Sequence, residues 1–408
     1  MTKQIYVQLS TCAFFIVVLF GSLIWQNQIN SSLRLRELTL DKMQSVSGSK
    51  LTVHIVDVGQ GDAVIVQFPD DTTLLIDCGS VQSVGKLLNY IDINLVSLGN
   101  FLYFDNIIVT SAFSNRVGGL PQIIEKYCSA NTTIFRPNTM SVDKNDPMFV
   151  DPGFDYLASG YNTHNSASYQ KAVKSIHDSK ARVLVNSTQE YVLHSKIKDL
   201  NAQFSFSIFP FASSSLLGSN FAINNNSPIM LLEYKDKKFV FSGSADSIVE
   251  ELFVKQYSAI FGEYFNADVI MLGNNGNNSS TSMHYLDLLT TVPTVQSTIA
   301  VVSSSKSDSQ NYPSREVLSR LQDCGILKSN TLYTAKNSHI AFNVRQVSEQ
   351  ECDMVTSFAQ QYFLKSRPFL FWWAEIVLII SLTITLFMVF IVKKSISKIK
   401  KQTQKKKY

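Results

Sequence analysis

Three aspartates, Asp57, Asp62 and Asp77, stand beside the glycine turns of DVGQGD and LLIDCG. Short acids in such places accept backbone N–H groups and hold a turn. The residues best suited to metal chemistry are scattered. The six histidines are His54, His164, His177, His194, His284 and His339, and no two have ligand spacing. No cysteine pair has CxxC or other zinc-like spacing. No histidine clearly supports a nucleophilic triad either. Of the five cysteines, Cys12 lies in the first apolar run, and Cys78, Cys128, Cys324 and Cys352 lie in the body of the chain. Four cysteines allow three connectivities, and Cys78 and Cys128 read as ordinary buried thiols.

The elements that must position these residues alternate in type. LTVHIVDV from Leu51 is a β-branched, alternating strand, GQGD a turn, AVIVQF a strand, PDDT a hairpin turn and TLLIDCG a third strand ending in glycine. A helix at about 82–98, the strand FDNIIVTSA and a helix at about 118–128 follow, which is an α/β layout. Residues 139–165 read as loop, and SASYQKAVKSIHDSK as helix. ARVLV and FSFSIFPF read as strands, and PIMLLEY with KDKKFVFSGS as a hairpin. After a helix at 246–258, the alternation returns as strand ADVIMLG, helix HYLDLLTTV, strand STIAVVSS, helix SREVLSRLQDCG and strand LYTA. One globular domain is expected.

The stretch DVGQGDAVIVQFPDDTTLLIDCG, residues 57–79, resembles the opening of the metallo-β-lactamase fold. It is most similar to the branch found as the extracytoplasmic domain of competence (DNA-uptake) channels and as stand-alone hydrolases. Further segments follow in that family's order across residues 51–345. NIIVTSAFSNRVGGLPQII resembles the first metal box, NNNSPIMLLEYKDKKFVFSGSAD the NNNS–strand–strand–TGD segment, ADVIMLGNNGNNSSTS the GHHG segment, and QNYPSREVLSRL the final loop and helix. The resemblance implies a four-layer αββα sandwich, with two sheets face to face and helices outside.

The chemistry of that family uses one or two metal ions held by imidazoles and carboxylates, which activate a water for hydrolysis. Here the matching positions have changed. Ser111 and Phe113 match the first two histidines of His-x-His-x-Asp-His, Asn115 matches its aspartate, and Arg116 matches its last histidine. Ser244 matches the bridging aspartate, Asn274 and Asn275 the paired histidines, and Tyr312 the histidine before the final proline. Serine and asparagine are weak neutral ligands, phenylalanine has no donor, and arginine is a permanent cation. By resemblance, Asp57, Asp62 and Asp77 are the family's retained acids, and Arg116 is expected in the cleft, paired with one of them. The GNNGNNSSTS loop is expected to be an ordinary solvent loop.

The expectation is therefore no cofactor, no catalytic metal and a pseudo-enzyme with a binding or structural role. Two alternatives remain open. One is a hydrolase with a relocated or metal-free site drawn from Ser111, Ser244 and Asp246. The other is a DNA-handling module.

Composition separates the body from the ends. Charged residues are 17% and hydrophobic residues 45% of 408, which excludes a disordered or linker-like chain. Residues 26–368 carry 27 Lys and Arg against 31 Asp and Glu. That mildly acidic body argues against nucleic acid as a partner. Residues 5–25 hold no charge, and residues 369–392 hold only Glu375. Each is long enough to span a bilayer. A cleaved signal peptide is the other reading of the first run. Residues 393–408 carry eight lysines and no acid, the mark of a cytoplasmic tail. The expected order is a cytoplasmic segment 1–4, a span 5–25, a stalk 26–50 with partial helix at 32–43, the domain 51–345, a juxtamembrane segment 346–368, a span 369–392 and the tail 393–408. The body then faces the extracytoplasmic or lumenal side of the plasma or endoplasmic-reticulum membrane, where an unknown protein or small molecule would be its partner. Asn-x-Ser/Thr sequons at Asn30, Asn131, Asn186, Asn225, Asn277 and Asn278 agree with that side if the cell is eukaryotic. The ending KKKY reads as a dilysine retrieval signal or as an ordinary stop-transfer tail.

Overall fold

Along the first strand of the computed structural model, β1 (Ser49–Ile55), Leu51, Val53 and Ile55 join one apolar core while His54 turns the other way toward Tyr90. The same two-residue alternation recurs in the next strands. Val64 and Val66 of β2 (Val64–Gln67) and Leu74 and Ile76 of β3 (Thr73–Ile76) share that core, whereas Ile65 and Leu75 enter a second one. A strand that buries both faces must sit between two layers.

The structure describes residues 49–96, 101–136, 167–185, 190–198, 203–209, 227–261, 265–290, 297–305 and 312–358, with scattered positions at 17–21 and 380–401. After β3 come helix α1 (Val84–Asn94), β4 (Asn106–Ile108), α2 (Ser114–Val117), α3 (Leu120–Tyr127), β5 (Thr133–Arg136), α4 (Ala167–Asp178), β6 (Arg182–Val185), β7 (Tyr191–His194) and β8 (Ser205–Phe209). Then follow β9 (Ile229–Tyr234), β10 (Lys237–Phe241), α5 (Ser247–Phe261), β11 (Val269–Met271), α6 (Met283–Leu289), β12 (Ile299–Val302), α7 (Arg315–Cys324), β13 (Thr331–Tyr333), α8 (Thr334–Asn337), β14 (Ile340–Gln346) and β15 (Cys352–Phe358).

Two sheets result. One runs β15-β14-β1-β2-β3-β4-β5-β6 and the other β13-β12-β11-β10-β9-β8-β7. Between them lies a core shared by both, in which Leu51, Val53 and Phe342 meet Phe206, Phe239 and Met271. On the outer face of the first sheet, Leu87 and Tyr90 of α1, Leu120 and Ile123 of α3, and Ile176 of α4 close a second core. On the outer face of the other, Val249 and Phe253 of α5, Leu286 of α6 and Leu321 of α7 close a third. Three apolar seams separate four layers in the order helix, sheet, sheet, helix. The middle seam draws on both halves of the chain and packs the two sheets into one unit.

Residues Lys42–Gln360 form one compact unit. Its sheet continues past residue 345, since β15 pairs in register with β14 from Gln346↔Cys352 to Ile340↔Phe358. The stretch 346–368 expected as a juxtamembrane segment thus contributes an edge strand. β7 and the closing β14–β15 hairpin extend the strand series, which from the sequence ended at LYTA. The described cysteines Cys78, Cys128, Cys324 and Cys352 are free thiols.

Residues Met1–Asp41 and Gln361–Tyr408 form a separate unit. Its described positions Ile380, Thr383, Phe387 and Phe390 are helical. Among the described residues no helix is long and apolar enough to cross a membrane. Most of 5–25 and 369–392, all of the expected helix at 32–43 and the loop 139–165 lie outside the described residues.

Candidate functional site

The candidate residues gather at one end of the two sheets, on the segments that follow the C-terminal ends of strands. The turn 57–62 follows β1, Asp77 follows β3, residues 109–116 follow β4, residues 242–246 follow β10, and residues 272–282 follow β11. Two glycines make the close approach possible. Gly61 has φ +150°, and a Cβ there would lie 2.2 Å from the carbonyl oxygen of Asn115. Gly243 has φ +52°, and a Cβ there would lie 2.8 Å from Ser227 Oγ. Only glycine tolerates that combination of angle and contact.

Arg116 is the centre of the site, with 1% of its surface exposed. It lies on α2, a single turn that follows β4. Its Nη1 forms an ion pair with Asp62 and lies 3.9 Å from Asp77 Oδ2. Its Nε donates to Ser244 Oγ at 3.1 Å, and its Nη2 donates to Asn275 Oδ1 at 3.1 Å and to the Gly243 carbonyl at 3.4 Å. The guanidinium therefore joins the segments carried by the first sheet to those carried by the second. Burial pulls it down to about 9, which leaves it a cation at neutral pH. Asp77 accepts from Thr110 N at 2.8 Å and from Thr110 Oγ1 at 2.6 Å. Burial pushes its carboxyl up to about 7 against those two bonds.

The other matched positions divide. Ser111 Oγ lies 3.0 Å from Ser244 Oγ, and Asn275 donates to the Ser303 carbonyl at 2.9 Å and to Asp62 Oδ1 at 3.5 Å. These three side chains belong to the Arg116 cluster. Asn274 has φ 47° and Asn275 φ 57°, left-handed conformations that asparagine accepts better than most residues. Asn274 is half-buried and is fixed through its backbone N–H, which donates to the Gly243 carbonyl. Phe113 caps α2 and Asn115 is half-buried beside Gly61, and among the described residues neither side chain hydrogen-bonds to the cluster. Tyr312 accepts from Asn277 Nδ2 at 2.7 Å. Asp57 stands apart from Arg116. It accepts from Gly59 N at 3.0 Å and lies 3.6 Å from Lys86. Of the three acids expected as partners for Arg116, Asp62 takes the contact, Asp77 is the nearer bystander and Asp57 holds its own turn.

The loop 273–282 is not solvent-facing, contrary to expectation. Asn275, Ser280 and Thr281 are buried. Two side chains hold the loop. Glu250 of α5, fully buried, accepts from Thr281 N at 2.6 Å and Ser282 N at 2.7 Å. Arg320 of α7 donates to the carbonyls of Asn278, Ser280 and Thr281. Burial pushes Glu250 up to about 7, opposed by the two backbone donors. Neither residue stood out in the sequence. Helix α5 carries two adjacent acids, Glu250 and Glu251, and α7 two arginines, Arg315 and Arg320, and nothing in the sequence singles out one of each.

A divalent ion would need three or four convergent His, Asp, Glu or Cys groups. Among the described residues no group of three or more such side chains could hold a metal. Seven of the eight matched positions supply hydroxyl, amide or aryl groups, and the eighth, Arg116, puts a paired cation among the acids. The residues present do not fit the metal. Nucleophilic chemistry fares no better. Ser244 Oγ is held by Ser111 and Arg116 with no base among its bonds, and Asp246 is spent capping α5 through Ile248 N and Val249 N.

No family model and no curated protein matches the chain. Solved structures similar to it include a metallo-beta-lactamase fold protein from Bacillus subtilis, at 10% identity over 69% of this chain and 96% of that one, with a TM-score of 0.34. The isothiocyanate hydrolase from Delia radicum gut bacteria is similar at 10% identity over 71% of this chain and 98% of that one, with a TM-score of 0.35. The short form of human tRNase Z is similar at 15% identity over 54% and 77% of the two chains, with a TM-score of 0.30.

Proposed function

We propose that this chain is a membrane-anchored member of the metallo-β-lactamase superfamily, related to its competence branch, that has given up hydrolysis. Its ectodomain serves a binding or structural role. The observation that carries this reading is the Arg116 guanidinium, buried with Asp62, Asp77, Ser244 and Asn275 around it. A fixed monovalent cation with its own counter-charges replaces the need for an ion. It also repels one, since like charges in a poorly solvated site interact strongly. The support for anchoring is the two apolar runs, of which only the second holds a charge, Glu375, and the lysine tail, together with helical Ile380, Phe387 and Phe390, whose side chains are exposed. Apolar side chains that find no protein cover suit a lipid environment.

The full chain, purified in detergent, tests this. Elemental analysis should find no stoichiometric zinc or manganese. Phosphodiester and ester substrates should turn over no faster with those metals added than without. Near-stoichiometric metal, or turnover abolished by a chelator, would overturn the reading. Protease accessibility in sealed membranes tests the topology. The body should be cut from the side opposite the tail.

A further inference from the structure

We propose that His339 is a pH-sensitive latch: a proton on its ring releases the turn 57–62, which carries Asp62 to Arg116. His339 stands immediately before β14 and is buried. The ladder between β1 and β14 ends at Ile55↔Ile340. Beyond that last pair a side chain takes over from the backbone, and His339 Nδ1 accepts from Asp57 N at 3.0 Å. A backbone N–H can only donate, so this bond requires a bare Nδ1. A proton from solvent that adds to the Nδ1 lone pair sets N–H against N–H, and the bond breaks. Val56 N donates to the Ala63 carbonyl and Gly79 N to the Asp62 carbonyl, bonds that close the turn and tie its end to the segment after β3. The His339 bond ties its start to β14.

The groups around the ring decide which proton matters. The Tyr90 ring of α1 lies 4.6 Å away, centroid to centroid. Behind it, His54 of β1 has Nδ1 2.8 Å from the Tyr90 hydroxyl and Nε2 2.9 Å from Gln67 Oε1 of β2. Burial pulls His54 down to about 4 against its bond to Gln67, so His54 stays neutral through the range in which imidazoles ordinarily titrate. The Asp57 carboxylate lies 3.6 Å from Lys86 of α1, and Asp62 is paired with Arg116. Asp92, the other charge on α1, pairs with Lys126. The remaining charges on the neighbouring elements are exposed Lys50 at the start of β1, exposed Lys336 of α8 and the Arg345–Asp353 pair at the turn end of the β14–β15 hairpin. In this company His339 is the group through which mild acid reaches the turn.

Hydrogen exchange of the full chain in detergent, read by mass spectrometry at about pH 8 and about pH 5, tests the latch. Each rate is divided by that of an unstructured peptide at the same pH. Peptides covering 56–62 should exchange about five- to tenfold faster in acid, the worth of one hydrogen bond. Peptides of the β9–β10 hairpin, in the other sheet, should keep their protection. Equal corrected rates for 56–62, or faster exchange in both regions alike, would overturn the proposal. His339→Asn puts an amide oxygen in place of the accepting nitrogen, and that oxygen takes no proton in this range. It should hold the turn equally at both pH values, and a pH response like that of the unaltered chain would sink the latch. If that variant has lost protection throughout at about pH 8, His54→Asn decides instead. A response that survives this change supports His339, and one that disappears assigns the proton to His54 and overturns the proposal.

Discussion

Arg116 and Glu250 are both fully buried charges, and they are neutralised by different means. Arg116 answers to side chains from four segments, including two carboxylates. Glu250 answers to two backbone N–H groups of one loop. In the first region charge is matched by charge across the two sheets. In the second, a single carboxylate finishes the hydrogen bonding of a turn. A charge matched by charge leaves buried charges stranded when it is removed. A charge matched by backbone leaves only orphaned dipoles.

The largest effect should follow Arg116→Met. It strands Asp62 beside Asp77, and breaking a buried pair in this way costs about 3–5 kcal/mol. Urea unfolding should show that loss, and adding Asp62→Asn should recover part of it. An unchanged midpoint would mean that the two carboxylates are neutral in the native state and that the region is not held by charge.

Glu250 should show itself through pH. Its folded value is raised from 4.5 to about 7, so the folded state keeps a proton that the unfolded state has lost. Its contribution is fully present below 4.5 and is lost as pH rises through about 7. The window corresponds to about 3 kcal/mol. Glu250→Gln should remove that pH dependence, and should also cost about 1–3 kcal/mol because Thr281 N and Ser282 N bond to different carboxylate oxygens and the amide replaces one of them with an NH2 group that cannot accept. A pH profile identical to that of the unaltered protein would show that Glu250 is not buried as described.

A glycine change sharpens the same contrast at the backbone level. Gly61→Ala should destabilise by more than about 1 kcal/mol, because the Asn115 carbonyl stands where the methyl group would go. Gly59, at φ +78°, meets nothing closer than 3.8 Å, so Gly59→Ala should show only the cost of its angle. The smallest effect belongs to Asp57. Its pairing with Lys86, which is 60% exposed, is worth little, so Asp57→Asn should be nearly silent while Asp57→Ala loses about 0.5–1 kcal/mol with the Gly59 bond.

Much of the first region was legible beforehand. The strands around Asp57, Asp62 and Asp77 announce themselves by alternation and glycine turns. Arg116 stood out because a permanent cation is conspicuous in a box of ligands. Which acid it would meet was not legible, because that depends on how α2 is aimed after β4. The second region was invisible. Glu250 and Arg320 act on backbone atoms 31 and 39 residues away, Glu250 on Thr281 N and Arg320 on the Thr281 carbonyl, and such bonds leave no local pattern. For the same reason GNNGNNSSTS, polar throughout, reads as solvent loop while its polar groups are spent inside. β15 was missed for a different cause. As an edge strand with half-exposed residues, CDMVTSF lacks the apolar weight of a central strand.

The register of that edge hairpin has a mechanical consequence. β1 and β15 flank β14 and both run antiparallel to it, so the chain enters this sheet at Ser49 and leaves it at Phe358 at opposite ends of that three-strand edge. A pull between those two residues slides β1 and β15 along β14 in opposite directions. It loads the ladder bonds together in shear, not one after another as in unzipping. Tension arriving through both ends of the chain would meet the sheet in the geometry where it yields last.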